Sequence, residues 1–220
     1  MEARTDDGSE ARRPPDAADH PRGRAAAALR RMGHALMGHE ADDELLEEVA
    51  RAADRVARDL EEQPPRQRDP LELKRRMFDV EVAEGETVVH FDECFVSGPW
   101  NPMGIAIDVH REGQEAVAEV TLGPAFEGAP GRSHGGIVAA IFDDVFGYAL
   151  TLERQPSFTG ELTVRYLAPT PIGQPLVFRG RLERHEGRKL WTTAEASADG
   201  EVVATASAVF IAIKESQLRP

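Results

Sequence analysis

Gly131-Arg132-Ser133-His134-Gly135-Gly136-Ile137-Val138-Ala139-Ala140-Ile141-Phe142-Asp143-Asp144-Val145-Phe146-Gly147-Tyr148-Ala149-Leu150 reads as one helix that begins at the glycines and ends near Leu152. Ile137, Val138, Ile141, Phe142, Val145, Phe146, Tyr148 and Leu150 fall almost all round it. A helix that is apolar on every side is a buried one. Asp143 and Asp144 interrupt the pattern. Asp is a poor helix former, and a buried carboxylate costs free energy unless it is paired or hydrogen-bonded. A local rule broken in the middle of a core element marks a functional position.

The entrance to this helix sharpens that reading. Backbone N–H groups at a helix start lack intrahelical partners and carry partial positive charge. Glycines there, Gly135 and Gly136, let a ligand approach the bare backbone. Donors for an oxyanion thus precede a carboxylate about two turns further along. The combination suits acyl transfer, with donors for a developing oxyanion and an acid to handle water.

Composition narrows the partners. The chain has 220 residues and a formal net charge of −13. That balance argues against binding nucleic acid or an anionic membrane, both of which favour a basic surface. No run of eighteen or more apolar residues is free of charge, so no membrane span is expected. The start, Met1-Glu2-Ala3-Arg4-Thr5-Asp6-Asp7, does not read as a secretory signal. Cys94 is the only cysteine, which excludes an internal disulfide. It reads as a packing residue, and a cytoplasmic setting is expected.

The N-terminal third has its own organisation. Residues 1–24 carry almost no large apolar side chains and are expected to be disordered. A helix is predicted over Ala25 to Met37, with Leu29, Met32, Leu36 and Met37 as its stripe. A second is predicted from an N-cap at Asp42 or Asp43 to Glu62, before Pro64-Pro65. Leu45, Leu46, Val49, Ala53, Val56 and Leu60 keep helical spacing, and these helices are expected to pack on the main domain or a partner. His34 and His39 do not share a helix face and read as solvated surface residues rather than metal ligands. Residues 63–70 read as a linker. The expected division is 1–24 tail, 25–75 helical extension and linker, and 76–220 main domain.

From Thr87 the apolar period becomes two. Strands are predicted at Val88 to Val96, Gly104 to His110, Ala116 to Leu122, Phe158 to Leu167, Pro175 to His185, Lys189 to Ala198 and Glu201 to Ile213. Residues Phe126 to Gly131 read as an irregular loop. Strands, one buried helix, then an antiparallel meander make an α+β layout in which a curved sheet covers one helix.

The segment Phe126-Glu127-Gly128-Ala129-Pro130-Gly131-Arg132-Ser133-His134-Gly135-Gly136, followed by Asp143, resembles the hotdog-fold acyl-CoA thioesterases of the PaaI type, and most of all the branch of thioesterase superfamily members four and five. Asn101-Pro102 is similar to a turn in bacterial relatives. Thr159 to Pro171 is similar to the first strand after the helix, and Gly187-Arg188-Lys189 to a late turn. The resemblance covers about Thr87 to Ile213 and leaves residues 1–75 unexplained.

What the resemblance implies is hydrolysis of acyl-CoA to free acid and CoA. Asp143 is then the catalytic carboxylate, as base or nucleophile. The Gly135 N–H polarises the carbonyl, and His134 braces that loop or contacts the carbonyl. Thr159, expected from the other subunit of a homodimer or dimer of dimers, orients water. Asn101, Glu127, Gly128, Gly136, Arg188 and Lys189 are expected to contact substrate. CoA enters as part of the substrate, with no further cofactor and no metal. Two positions depart from related branches: Gly128 stands where one has Asn, and Ala168 where many have a basic residue. Asp144 is expected to cap a neighbouring backbone group or face a partner helix. A binding module without turnover is the alternative reading; Asp143 beside an oxyanion donor favours the enzyme, and a dehydratase of the same fold ranks lower.

Overall fold

The computed structural model describes residues 20–69, 71, 74–75, 77, 81–87 and 91–214. Two helices, α1 (Pro21–Gly38) and α2 (Asp43–Glu61), precede the sheet. Strands β1 (Val109–Glu112) and β2 (Glu115–Thr121) form a hairpin. A 3₁₀ turn (Pro124–Phe126) and a small hairpin, β3 (Glu127–Ala129) with β4 (Arg132–Ser133), lead into α3 (Gly135–Leu152). Then come β5 (Ser157–Tyr166), β6 (Pro175–Glu186), β7 (Lys189–Ala198) and β8 (Glu201–Ala212). Six strands make one antiparallel sheet in the order β1-β2-β6-β7-β8-β5.

Side-chain volume explains why the sheet accepts so bulky a helix. The middle of its inner face is paved with small residues: Ala194 pairs with Ala206, Ala196 with Ala204, and Thr192 with Ala208. Onto this floor α3 lowers Val138, Ile141, Phe142, Val145 and Phe146, each wholly buried. Phe142 meets Phe178 edge-on at 5.1 Å, and Phe146 meets Phe210 at 6.2 Å. Gly180 on β6 is required by the fit, since a Cβ there would lie 2.8 Å from Val145 Cγ1. Gly135–Leu152 has the length and apolar composition of a membrane span, but here its apolar faces are taken by the sheet.

The strands after α3 lie where periodicity places them. The two expected at Val88 to Val96 and Gly104 to His110 do not form as such. Residues 88–90 lie outside the described residues. Over 91–98 the chain turns back on itself, with Cys94 N–H donating to Phe91 O at 2.8 Å and Gly98 N–H to Cys94 O at 3.0 Å. The Pro99–Gly104 turns and a left-handed Ala106 (φ 60°) then break the second ladder, so regular pairing starts only at Val109. The expected irregular loop after Phe126 is partly ordered as the β3–β4 hairpin. It is closed by the Pro130-Gly131 turn (Gly131 φ 73°) and by Glu127 Oε1, which accepts the Gly131 N–H at 2.8 Å.

Of the N-terminal tail, residues 1–19 lie outside the described residues. Residues 21–24 are helical, not disordered: Pro21 supplies a preformed first turn and His20 caps it, accepting from Arg22 N–H at 3.1 Å. α1 docks on the 99–101 loop. Arg30 donates to Pro99 O (2.9 Å) and Asn101 O (2.7 Å), and His20 stacks on Trp100 at 4.4 Å. His34 is no solvated histidine; its Nδ1 accepts from Ala125 N–H at 3.2 Å and its ring meets Phe126 edge-on.

α2 departs from expectation in the other direction. It is capped by Asp42, which accepts from Leu45 N–H, yet it buries no residue. Leu45, Leu46, Val56 and Leu60 stay exposed. Replacing Leu45 and Val56 together by Ala is therefore expected to leave the unfolding temperature unchanged in calorimetry. Phe142→Ala, by contrast, should cost about 3–5 kcal/mol. A loss of similar size in the α2 variant would mean that this stripe is covered in solution.

Candidate active site

Four N–H groups at the start of α3 lack intrahelical acceptors, and the local sequence disposes of three. His134 is the N-cap, and its Nδ1 accepts from Gly136 N–H at 3.0 Å. In that arrangement Nδ1 is the unprotonated ring nitrogen. The Ile137 N–H donates to His134 O at 2.9 Å, and the His134 N–H to Phe126 O at 2.9 Å. Among the described residues, the Gly135 N–H is left without an acceptor. Gly135 is held from the other side by Tyr166, whose hydroxyl donates to Gly135 O at 2.6 Å. Burial pushes the Tyr166 hydroxyl above its usual pKa, so it remains a donor.

Further along α3, one stripe escapes the sheet: Gly136 is exposed, and Ala139, Ala140, Asp143 and Gly147 are half-buried. Asp143 points along this stripe to the start of β5, where Thr159 Oγ1 donates to its Oδ1 at 2.8 Å. This corrects the expected arrangement across subunits. Thr159 meets Asp143 of its own chain, because β5 returns beside the helix after the turn at 153–156. A bulge between Thr159 and Glu161 helps to aim the hydroxyl.

Asp144, one residue on, turns inward to a different environment. Its Oδ1 receives the Cys94 thiol at 3.2 Å, while Oδ2 is buried without a hydrogen bond. It does not cap a backbone group as expected. Burial pushes its carboxyl above the usual range and Asp143 adds to that, against the lowering by Ser97 and Cys94. Ser97 Oγ itself makes no hydrogen bond of good geometry, so its part is that of a close dipole. Cys94 is likewise pushed up, by burial first and Asp144 second, which keeps it a thiol in a packing role.

The remaining sequence candidates separate into two groups. Asn101 is spent on its own loop: Nδ2 donates to Glu93 O at 3.1 Å and Oδ1 accepts from Met103 N–H at 2.9 Å. Glu127 closes the β3–β4 hairpin. Gly128 makes room for the helix cap, since a Cβ there would lie 2.8 Å from His134 Cα. Glu127 and Gly128 thus shape the loop around His134, and Asn101 the turn that precedes Met103. Arg188 and Lys189 instead sit at the end of the sheet that carries Thr159. Lys189 pairs with Ile211 and Ile211 with Phe158, so Lys189 is two strands from the residue before Thr159. A surface cavity of about 520 Å³ between α1 and Pro99 contains none of the site residues.

Two contributors were missed in the sequence. Tyr166 was visible as an alternating strand residue, but nothing indicated that it reaches the helix start. Lys74 lies in a mixed-charge stretch without periodic signal. Its ammonium sits 5.2 Å from the centroid of the Phe158 ring, within the field of Asp143. Burial lowers the Lys74 pKa, and Asp143 acts in the opposite sense.

Comparison with known proteins follows this geometry. The family model described as "Thioesterase superfamily" matches residues 131–205. The crystal structure of protein RHA08564, a thioesterase superfamily protein, has a TM-score of 0.74 and 30% identity, covering 88% of this chain and 96% of that one. The acyl-coenzyme A thioesterase THEM4 of Xenopus laevis is 36% identical over 91 residues, 40% of this chain and 41% of its own. The acyl-coenzyme A thioesterase THEM5 of Mus musculus is 32% identical over 107 residues, 48% of this chain and 43% of its own. The chain spans under half the length of each of these two curated relatives. The layout of one long helix wrapped by an antiparallel sheet is the hotdog fold that the sequence implied.

The buried Asp144 carboxyl has a consequence for stability. A carboxyl whose pKa is higher folded than unfolded stabilises the fold fully below its unfolded value, about 3.9. That contribution is lost as pH rises through the folded value. Asp144→Asn is therefore expected to flatten the decline of unfolding temperature between acid and neutral pH. Parallel wild-type and variant curves would show that Asp144 is not held protonated by the fold.

Proposed function

The chain belongs to the thioesterase superfamily, and from that premise we propose that it hydrolyses acyl-CoA thioesters at sites shared by two copies. The observation that carries the reading is the Thr159–Asp143 hydrogen bond, lying on the uncovered stripe of an otherwise buried helix. The names of the curated relatives support the substrate class.

The division between two copies follows from helix geometry. Gly135 and Asp143 are eight residues apart, about 12 Å along the axis. A carbonyl group touching the N–H of one cannot be reached by water held on the other. Two antiparallel copies of α3 crossing near Ala139 remove the difficulty, setting Gly135 of one opposite Asp143 of the other. Ala139 and Ala140 on the open stripe permit close approach. The edge strand supports the same arrangement: β5 is long, ends the sheet and is mostly exposed. An unpaired edge of that kind is a template for a second chain, and a two-fold contact uses the same patch on both copies.

The chemistry then assigns one role to each group. Asp143 and Thr159 hold a water, and Asp143 takes its proton as the oxygen attacks the thioester carbonyl. The oxyanion receives the N–H of Gly135 of the partner subunit. Collapse of the tetrahedral intermediate breaks the C–S bond and releases the CoA thiolate. With a reference thiol pKa of about 8.5, that leaving group needs no strong general acid. The proton on Asp143 returns to solvent or the thiolate. Arg188 and Lys189, at the Thr159 end of the sheet, are the basic groups assigned to the CoA phosphates.

Asp143→Asn is expected to lower acyl-CoA hydrolysis, followed by free-thiol release, by roughly 10²-fold or more. Gly135→Pro removes the oxyanion donor at the first helical position, where proline is tolerated, and should be inactive but folded. Mixing these two inactive chains should restore one site per heterodimer, since Asp143 of one then meets Gly135 of the other. Mixing Asp143→Asn with Thr159→Ala should restore nothing. Restoration in the second mixture and not the first would overturn the division of the site.

A further inference from the structure

The entrance to α3 is tied to a second stretch of chain. Residues 131–135 run antiparallel to residues 166–172, the segment that leaves β5. Ile172 N–H donates to Gly131 O at 3.3 Å, and Ser133 N–H to Thr170 O at 2.9 Å. Arg132 and Pro171 face each other as a bridge between these two bonds. The third tie is the Tyr166 hydroxyl on Gly135 O, at 2.6 Å. At Gly135 the chain turns into the helix and leaves its neighbour, so only a long side chain still reaches it. The 166–172 strap is itself fastened at both ends. Leu167 and Ala168 N–H donate to Val203 O on β8 at 2.8 and 3.0 Å, and Gly173 N–H to Leu122 O, just past β2, at 2.9 Å. Thr170 is buried in its middle, and Pro169 and Pro171 fix φ at two of its positions.

We propose that Tyr166 is a positioning residue for the oxyanion donor: its hydroxyl, set by the strap, fixes the peptide groups around Gly135 so that the Gly135 N–H is aimed before substrate arrives. The inference rests on that N–H being the oxyanion donor. Gly135 and Gly136 are the first two helical residues, and glycine backbone is too permissive to fix the direction of the helix start by itself. His134 Nδ1 holds the Gly136 N–H; Tyr166 holds the Gly135 carbonyl. Stability does not account for this bond. A first-turn carbonyl already accepts from the N–H four residues on, and Tyr166 is half exposed, so water can satisfy its hydroxyl. The net gain from exchanging that water for a carbonyl is small. The ring tip also abuts the backbone: a Cβ at Gly135 would lie 3.1 Å from the Tyr166 hydroxyl oxygen and 3.2 Å from Cζ. Gly135 is thus blocked from shifting toward the sheet. Such preorganisation is what an oxyanion donor needs.

The test is Tyr166→Phe in the full chain, which removes one oxygen and keeps the ring. kcat and KM are measured on a series of saturated acyl-CoAs by free-thiol release, with unfolding temperature and amide hydrogen–deuterium exchange in parallel. kcat should fall roughly ten- to a hundredfold, with KM and unfolding temperature little changed. Exchange should quicken in peptides covering residues 135–138 and stay unchanged in β6 and β7. Gly135→Ala, whose Cβ presses on the same hydroxyl, should lower kcat alone. Combined with Tyr166→Phe, it should cost less than the product of the two single losses.

A wild-type kcat in Tyr166→Phe would overturn the proposal, as would single losses that simply multiply. So would a rise in KM alone, which would put the hydroxyl on the substrate, or a kcat loss with unchanged exchange at the helix start, which would give it a direct part in the chemistry. Gly135→Pro is run beside them. If it is inactive while Tyr166→Phe behaves as wild type, only the role of Tyr166 fails; if Gly135→Pro is active, the oxyanion reading fails and this inference with it.

Discussion

The fit of α3 against an alanine-paved sheet is the constraint on which the rest depends. Val, Ile and Phe side chains need depth, and the strands provide it by carrying Ala194, Ala196, Ala204, Ala206 and Ala208 beneath them. Each bulky group removed from water contributes about 1.5–3 kcal/mol when burial is complete. The helix is fixed in rotation and depth by that packing, with Gly180 setting the closest approach. One stripe remains uncovered, and a carboxylate on it is held in place by a core that has no chemical role.

Two aspartates on consecutive positions show how rotation alone divides their tasks. They differ by about 100° around the helix. Asp143 falls on the open stripe, where Thr159 hydrogen-bonds one oxygen. Asp144 falls toward the 91–98 loop, where burial raises its pKa and Cys94 donates to it. The first suits proton transfer with solvent; the second is a buried acid whose interaction is with the packing around it. At the other end of the helix, His134 occupies the Gly136 N–H and the His134 carbonyl takes the next two, so among the described residues a single donor at this helix start, that of Gly135, is left without an acceptor. Tyr166 fixes the same residue from the sheet.

The N-terminal extension divides into parts with different physical status. α1 is docked through Arg30, His20 and His34 onto loop carbonyls and rings. The segment after α2 is docked through Arg66 and Arg68 onto Glu93. Between these attachments α2 stands with its apolar stripe in solvent. The attachments are polar and aromatic rather than apolar, which is why a search for apolar periodicity finds both helices but not the surface on which α1 rests.

Short-range information was enough for a large part of this protein. The glycine entrance and apolar run define α3 because capping and helix periodicity are local properties. The meander from β5 to β8 is legible because alternation and the turns at Gly187 and Gly200 (φ 61° and 81°) are local too. That one helix carries both an oxyanion donor and a carboxylate is legible from residue types and helix-start geometry, while their spacing of about 12 Å leaves open which chain's donor serves which carboxylate. Tertiary structure decided the rest. Residues 91–96 and 104–108 alternate like strands, but close contacts such as Cys94 with Gly98 fold this stretch into a loop. Asn101 and Glu127 have the chemistry of ligand-binding groups, yet nearby backbone donors and acceptors claim them. Thr159 belongs to Asp143 of its own chain because the path of β5 sets that distance. The segment after α2 is fastened because Glu93 captures Arg66 and Arg68, although its sequence has no regular pattern: contacts across the fold have no local signature, and only the folded chain supplies them.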